Sequence, residues 1–150
     1  MTWSGNTAKR SKMSKQYVLD AWALLAMLQG EEPAAARVRQ LLLEGEQQQV
    51  VLFVSIVNLG EVYYRIGRRS DRVTALETIS EIRRLALSVV SATDAMVMAA
   101  ADFKMEFALS YADAFAAALA DDVDATLVSG DPEFDQLRGR IKLEKLHRAG

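Results

Sequence analysis

The run Val50-Val51-Leu52-Phe53-Val54 places five apolar residues in a row, most of them β-branched or aromatic. A strand with one wet face alternates apolar and polar residues; an unbroken run suits a strand covered on both faces. Such a strand needs sheet neighbours and helices on either side, and the rest of the chain supplies them. Gln16–Leu19, Ala86–Val90 and Ala125–Ser129 read as further strands, and Ile141–Leu143 as a weaker fifth. Between them, apolar residues recur at three- and four-residue steps. Trp22, Leu25, Ala26 and Leu28 form one stripe; Val38, Leu41 and Leu42 form another, in a helix that Pro33 opens and that runs to about Gly45. Ile56, Leu59, Tyr63 and Ile66 come next, then Val73, Leu76, Ile79 and Ile82, then Met96, Ala100, Phe103 and Phe107. Tyr111, Phe115 and Leu119 close the series in an alanine-rich segment suited to close packing. The order β-α-α-β-α-α-β-α-α-β-(α)-β predicts a three-layer α/β/α sandwich around a central, mostly parallel sheet.

At 150 residues there is room for one domain. Residues 15–150 read as that domain, and 1–14 as a flexible basic tail. Lys9, Arg10, Lys12 and Lys15 stand among the first fifteen residues with no acid, so the remainder carries −6 against a net charge of −2. Bulk charge therefore does not announce a nucleic-acid binder; such a function needs a local site. Asp20 interrupts the early apolar run and Glu31-Glu32 come after it, which argues against a signal peptide. No stretch reaches the roughly 18 uncharged apolar residues of a membrane span, and a cytoplasmic location is expected. The absence of cysteine excludes disulfides, thiolate metal sites and cysteine nucleophiles. A lone histidine, His147, leaves no basis for a Ser-His-Asp mechanism or a histidine-rich metal site. What remains for chemistry is carboxylate.

In open α/β sheets, sites form off the carboxyl ends of the strands. Asp20 directly follows the first strand, and Asp131 follows the fourth through Ser129-Gly130. Glu61 lies in the helix after the second strand, and Asp113 in the first turn of a helix opening at Ser110. Each has a structural reading: Asp20 as a helix cap, Glu61 as an exposed helix acid, Asp113 as a capping-box partner of Ser110, Asp131-Pro132 as a turn. The apolar text around Asp20 and Glu61 argues for burial, and buried acids are paired or metal-bound. Asp121, Asp122 and Asp124 fall at the opposite edge and read as a solvated face. Asp135, one helical turn after Asp131, is a candidate addition to the group. Two like charges 4 Å apart repel by roughly 4 kcal/mol at an effective dielectric near 20. A converging set must take up protons or hard cations, Mg²⁺ or Mn²⁺ rather than zinc. A carboxylate-held ion of that kind can activate water and stabilise the leaving oxygen of a phosphodiester.

Four stretches carry a resemblance. They are Tyr17-Val18-Leu19-Asp20, Asn58-Leu59-Gly60-Glu61-Val62-Tyr63-Tyr64, Leu109-Ser110-Tyr111-Ala112-Asp113-Ala114-Phe115, and Ala125-Thr126-Leu127-Val128-Ser129-Gly130-Asp131-Pro132-Glu133-Phe134. In this order the chain resembles, over about residues 16–146, the PIN-domain family and most closely its VapC-type ribonuclease toxins of prokaryotic toxin–antitoxin pairs. The resemblance implies an endoribonuclease dependent on Mg²⁺ or Mn²⁺, leaving 5′-phosphate and 3′-hydroxyl ends. It makes Asp20, Glu61 and Asp113 the metal site, with Asp131 from the fourth motif, and Ser129, Asn58 and Asp135 as accessory residues. Trp22 is a departure, standing where many relatives carry Ser or Thr. Arg65, Arg68, Arg69 and Arg72 are candidates for RNA phosphate contact, or else a solvated helical surface. The implied partners are RNA, a VapB-like antitoxin in a groove of Trp22, Leu28, Tyr63 and Tyr64, and a second copy of the chain; Leu25 reads as core. Three alternatives stay open: an RNA-processing nuclease of this fold without an antitoxin, a non-cleaving binding module, and a phosphoacceptor signalling domain. The single Asp after the first strand, and Ser91-Ala92-Thr93 after the third, weigh against the last.

Overall fold

The computed structural model describes residues 14–149, so the tail expected over 1–14 lies, apart from Ser14, outside the described residues. Strand β1 (Lys15–Leu19) leads into helices α1 (Ala21–Leu28) and α2 (Ala34–Glu46). Strand β2 (Val50–Ser55) is followed by α3 (Ile56–Arg69) and α4 (Arg72–Arg83), and β3 (Ser88–Val90) by α5 (Asp94–Glu106) and α6 (Tyr111–Asp122). Strand β4 (Thr126–Ser129), a 3-10 turn (Pro132–Leu137) and β5 (Leu143–Lys145) complete the chain. The sheet order is β3-β2-β1-β4-β5, and every pairing is parallel.

Side-chain alternation along the strands divides the interior into two cores. Tyr17 and Leu19 of β1, with Val50, Leu52 and Val54 of β2, pack against α1, α2 and α3. Val18 and Leu127 point the other way, onto α5 and α6. The result is a helix–sheet–helix sandwich. In α6 every residue from Asp113 to Ala120 is buried. Five of those eight residues are alanine, so the helix can lie close to the sheet.

Three details differ from the expected pattern. Val51, at the amino edge of β2, is 38 % exposed, so the continuous apolar run is covered on both faces only from Leu52 onward. Strand β3 begins at Ser88; Leu87 before it is spent on core packing. Strand β5 starts at Leu143, the last residue of the predicted segment. Residues 138–141 are taken up by a turn in which the Arg140 and Ile141 N–H groups donate to the Leu137 carbonyl, and Gly139 adopts φ +83°, a left-handed conformation that favours glycine.

The chain runs outward from β1 to β2 and β3, then returns to place β4 on the other side of β1. The strand order thus reverses between β1 and β4, where open parallel sheets form crevices. The register pairs Leu19 with Val128, so Asp20 and Ser129 emerge side by side at that reversal.

Candidate active site

Asp20 leaves β1 in an extended conformation and caps α1, its Oδ1 accepting from the Ala23 N–H at 2.9 Å. Its Oδ2 accepts from the Ser129 hydroxyl across the β1–β4 seam at 2.5 Å. The same hydroxyl oxygen accepts the Asp131 N–H at 3.0 Å, so one serine ties two strand ends together. Asp131 caps the 3-10 turn, accepting from the Glu133 N–H at 2.9 Å. Between them, Gly130 lies against the Trp22 ring so closely that a Cβ would collide with it. The large residue at position 22 is accommodated because position 130 has no side chain.

Asp113 stands in the first turn of α6, whose Ser110 hydroxyl caps the Asp113 N–H at 3.2 Å. Glu133, folded back by the turn, accepts the Ser110 N–H at 3.1 Å and hydrogen-bonds the Asp113 carboxyl. Asn58, fully buried on α3, donates from Nδ2 to the Ala112 carbonyl at 3.0 Å and fixes the start of α6. Its Oδ1 is buried with no partner among the described residues. One helical turn later on α3, Glu61 accepts from Arg65 Nε at 3.0 Å. The cap reading of Asp20 and the turn reading of Asp131 are therefore correct, whereas the capping box expected of Asp113 is not formed, because Glu133 and not Asp113 takes the Ser110 N–H; all three carboxylates face one cavity.

That cavity has a volume of ≈ 610 Å³ and is lined by Asp20, Glu61, Asp113 and Asp131. Burial pushes the Asp20 carboxyl up to about 7, against the lowering effect of its bonds from Ser129 and Ala23; the charges of Asp131 and Glu61 push further upward. Asp113 is raised as well, first by burial, then by Glu133 and Asp131. Glu133 is held below the usual range, chiefly by the hydrogen bond from Asp113. Asp113 is thus the partner that keeps the proton in this pair. Asp113, Asp131 and Glu133 each offer a carboxylate oxygen within 4.8 Å of the others. The donors are all hard oxygens. Asp20 and Asp113 are charged at neutral pH only against the cost of burial. This set fits a hard divalent cation and offers no nitrogen or sulfur ligand for zinc.

The wall of the cavity carries Arg65, Arg68, Arg69 and Arg148, together with Trp22, Leu25, Tyr64 and Ile66. Arg68 lies over the Tyr64 ring at 5.5 Å, and Arg148 over Trp22 at 5.0 Å. Arg72, Leu28 and Tyr63 are not part of this wall. Leu25 packs on the core and also lines the cavity. Asp135 is not brought into the carboxylate group; Lys145 holds it at 2.8 Å beside a separate small recess. At the opposite edge, Asp121 pairs with Arg140 and Asp124 with Lys142, as expected for a solvated face. Sequence reasoning missed Glu133 and Arg148. Pro132 at the turn's first position signals that residue 133 folds back toward Asp131; nothing local marks Arg148.

The chain matches the PIN domain family over residues 17–140. No curated protein matches it. Among solved structures it is similar to VapBC2 from Rickettsia felis bound to a DNA fragment from their promoter, at 15 % identity and a TM-score of 0.67, covering 88 % of this chain and 99 % of that one. It is similar to DNA-bound VapBC from Salmonella typhimurium at 17 % identity and a TM-score of 0.67, covering 87 % and 98 %. A third is Mycobacterium tuberculosis VapC20, a sarcin-ricin loop cleaving toxin, at 18 % identity and a TM-score of 0.64, covering 80 % and 93 %. At such identities the likeness is one of fold, and the family match rests on 124 residues that include all four motifs. The chain belongs to the PIN domain family.

Proposed function

We propose that this protein is an endoribonuclease dependent on Mg²⁺ or Mn²⁺ and the toxin of a toxin–antitoxin pair, acting in the cytoplasm. The observation that carries the proposal is the convergence of Asp20, Glu61, Asp113 and Asp131 on one cavity at the sheet's reversal point, with the two buried ones, Asp20 and Asp113, pushed toward the protonated form by burial. Asp20, Glu61, Asp113 and Asp131, with Glu133 beside them, would hold the ion. When bound, the ion supplies a water of lowered pKa and neutralises charge on a phosphate oxygen.

The chain's own side chains do the rest. Ser129 fixes the Asp20 carboxylate relative to the Asp131 backbone, and Asn58 fixes the start of the helix that carries Asp113. Arg65, Arg68 and Arg69 hold RNA phosphates along the cavity wall. A VapB-like antitoxin lies across Trp22 and Tyr64; the VapBC assemblies among the similar structures support this partner. Val73 and Leu76 of α4 are 64 % and 55 % exposed, apolar surface that a second copy would cover in a homodimer. No helix of the described residues is long and apolar enough to cross a membrane.

The test is to sequence the RNA ends made by the purified protein with Mg²⁺ or Mn²⁺, beside Asp113→Asn. The expected result is 5′-phosphate and 3′-hydroxyl ends from wild type, and roughly a 100-fold slower reaction or worse from a folded variant. Cleavage at the wild-type rate by Asp113→Asn, or no cleavage by wild type with either ion, would overturn the assignment.

A further inference from the structure

We infer that Arg148 is an RNA-phosphate clamp on the wall of the cavity and that Glu31 holds it in reserve; this rests on the ribonuclease reading above. The segment after β5 is fastened by its backbone. The Leu146 N–H donates to the Ser129 carbonyl, the Ala34 N–H to the His147 carbonyl and the Ala149 N–H to the Glu32 carbonyl, each at 2.9 Å. Residue 148 is therefore anchored without help from its side chain, which lies over Trp22 and lines the cavity of the carboxylates.

Its ion pair differs from the one in this fold that acts as a staple. Arg37 meets Glu144 through two nitrogens, Nε at 2.7 Å and Nη2 at 3.0 Å, in a half-buried fork-to-fork pair. Arg148 meets Glu31 through Nη1 alone, at 3.1 and 3.4 Å from the two oxygens. Its Nε and Nη2 have no hydrogen-bond partner among the described residues, and its side chain is 51 % exposed. A planar guanidinium braced on an aromatic face, with one edge unused, suits the paired oxygens of a phosphodiester. Glu31 lines the same cavity and is the group that an incoming phosphate must displace. Arg148 thus adds a further cation to the wall that carries Arg65, which meets Glu61 through Nε alone at 3.0 Å.

The experiment is fluorescence anisotropy of a labelled single-stranded RNA oligonucleotide in EDTA, which reads binding without cleavage or metal. The proteins are wild type, Arg148→Ala, Arg148→Lys, Glu31→Gln and the double variant Arg148→Ala/Glu31→Gln. Arg148→Ala is expected to weaken binding about tenfold and to flatten the slope of log affinity against log salt by about 0.7, the loss of one phosphate contact to a single strand. Arg148→Lys is expected to recover the salt slope and only part of the affinity. Glu31→Gln is expected to tighten binding, and that gain is expected to vanish in the double variant. A gain that persists without Arg148 would mean that Glu31 acts through its own charge, and would overturn the reserve role. Unchanged affinity and slope in Arg148→Ala, whatever its melting temperature, would overturn the clamp alone. Failure of wild type to bind any RNA in EDTA would overturn the clamp, whereas the ribonuclease reading is overturned only by the cleavage assay with Mg²⁺ or Mn²⁺ described above.

Discussion

Replacing Asp20 by Asn tests whether the centre of the site is built against its own stability. Asp20 is fully buried, and its carboxyl is raised from 3.8 to about 7. A carboxyl whose folded value lies above its unfolded value favours the protonated state on folding. Its stabilising contribution is complete below the unfolded value, near pH 4, and is lost as pH rises through about 7. A shift of about three units sets a ceiling of roughly 4 kcal/mol on the destabilisation from Asp20 at pH 8 without metal. Asparagine keeps the oxygen that caps Ala23 and carries no charge. In EDTA, Asp20→Asn is therefore expected to come nearest wild type near pH 4 and to exceed it by a growing margin toward pH 8. A gain of about 2–4 kcal/mol would raise the melting temperature by roughly 5–15 °C for a chain of this size. The exposed acids Glu32, Asp71 and Asp135 are lowered rather than raised, so they act at the acid end of the scale and not in this window. The assay is thermal melting from pH 4 to 8, with and without Mn²⁺. Mn²⁺ is expected to stabilise wild type most at high pH and the variant little. If Asp20→Asn melts below wild type at pH 8 in EDTA, the carboxylate is not a repelled buried charge and the reasoning fails.

Two further substitutions probe how the site is held. Gly130→Ala is expected to destabilise by about 1–3 kcal/mol through collision with Trp22, with a shift in tryptophan fluorescence; combining it with Trp22→Ala should remove the collision, and an unshifted Gly130→Ala spectrum would count against the contact. Asn58→Ala is expected to cost about 1–2 kcal/mol by stranding the Ala112 carbonyl, and to slow RNA cleavage more than Asn58→Asp slows it, because the aspartate can bind there when protonated; a melting curve equal to wild type would refute that.

Much of this site was legible because its acids are tied to chain punctuation. Asp20 and Asp131 each end a strand and cap the next element, and Asp113 sits one turn into a helix, so the rules that find caps also find them. Convergence came from topology, since parallel strands put all those ends on one edge. Glu133 was hidden for a different reason. Its role depends on a 3-10 turn that brings it to Ser110, 23 residues away. Arg148 meets a partner 117 residues distant, a separation no local pattern encodes. The register of β5 depended on Gly139 adopting a positive φ, and a glycine does not announce which sign it takes. Asp135 was a fair candidate by helical spacing, but Lys145 on β5 draws it away.

The β1–β4 seam joins segments about 110 residues apart, whereas β1, β2 and β3 succeed one another directly along the sheet. During synthesis, the first ninety residues can form three strands and four helices while Asp20 and Glu61 still stand without Asp113 and Asp131. The carboxylate group closes only when the last third of the chain docks against β1, a contact with a high loop-closure cost. On the nuclease reading, a ribosome-bound nascent chain stays harmless to RNA until β4 has emerged. A cell is then exposed to the activity only from near-complete molecules, the same ones that present Trp22 and Tyr64 to a partner.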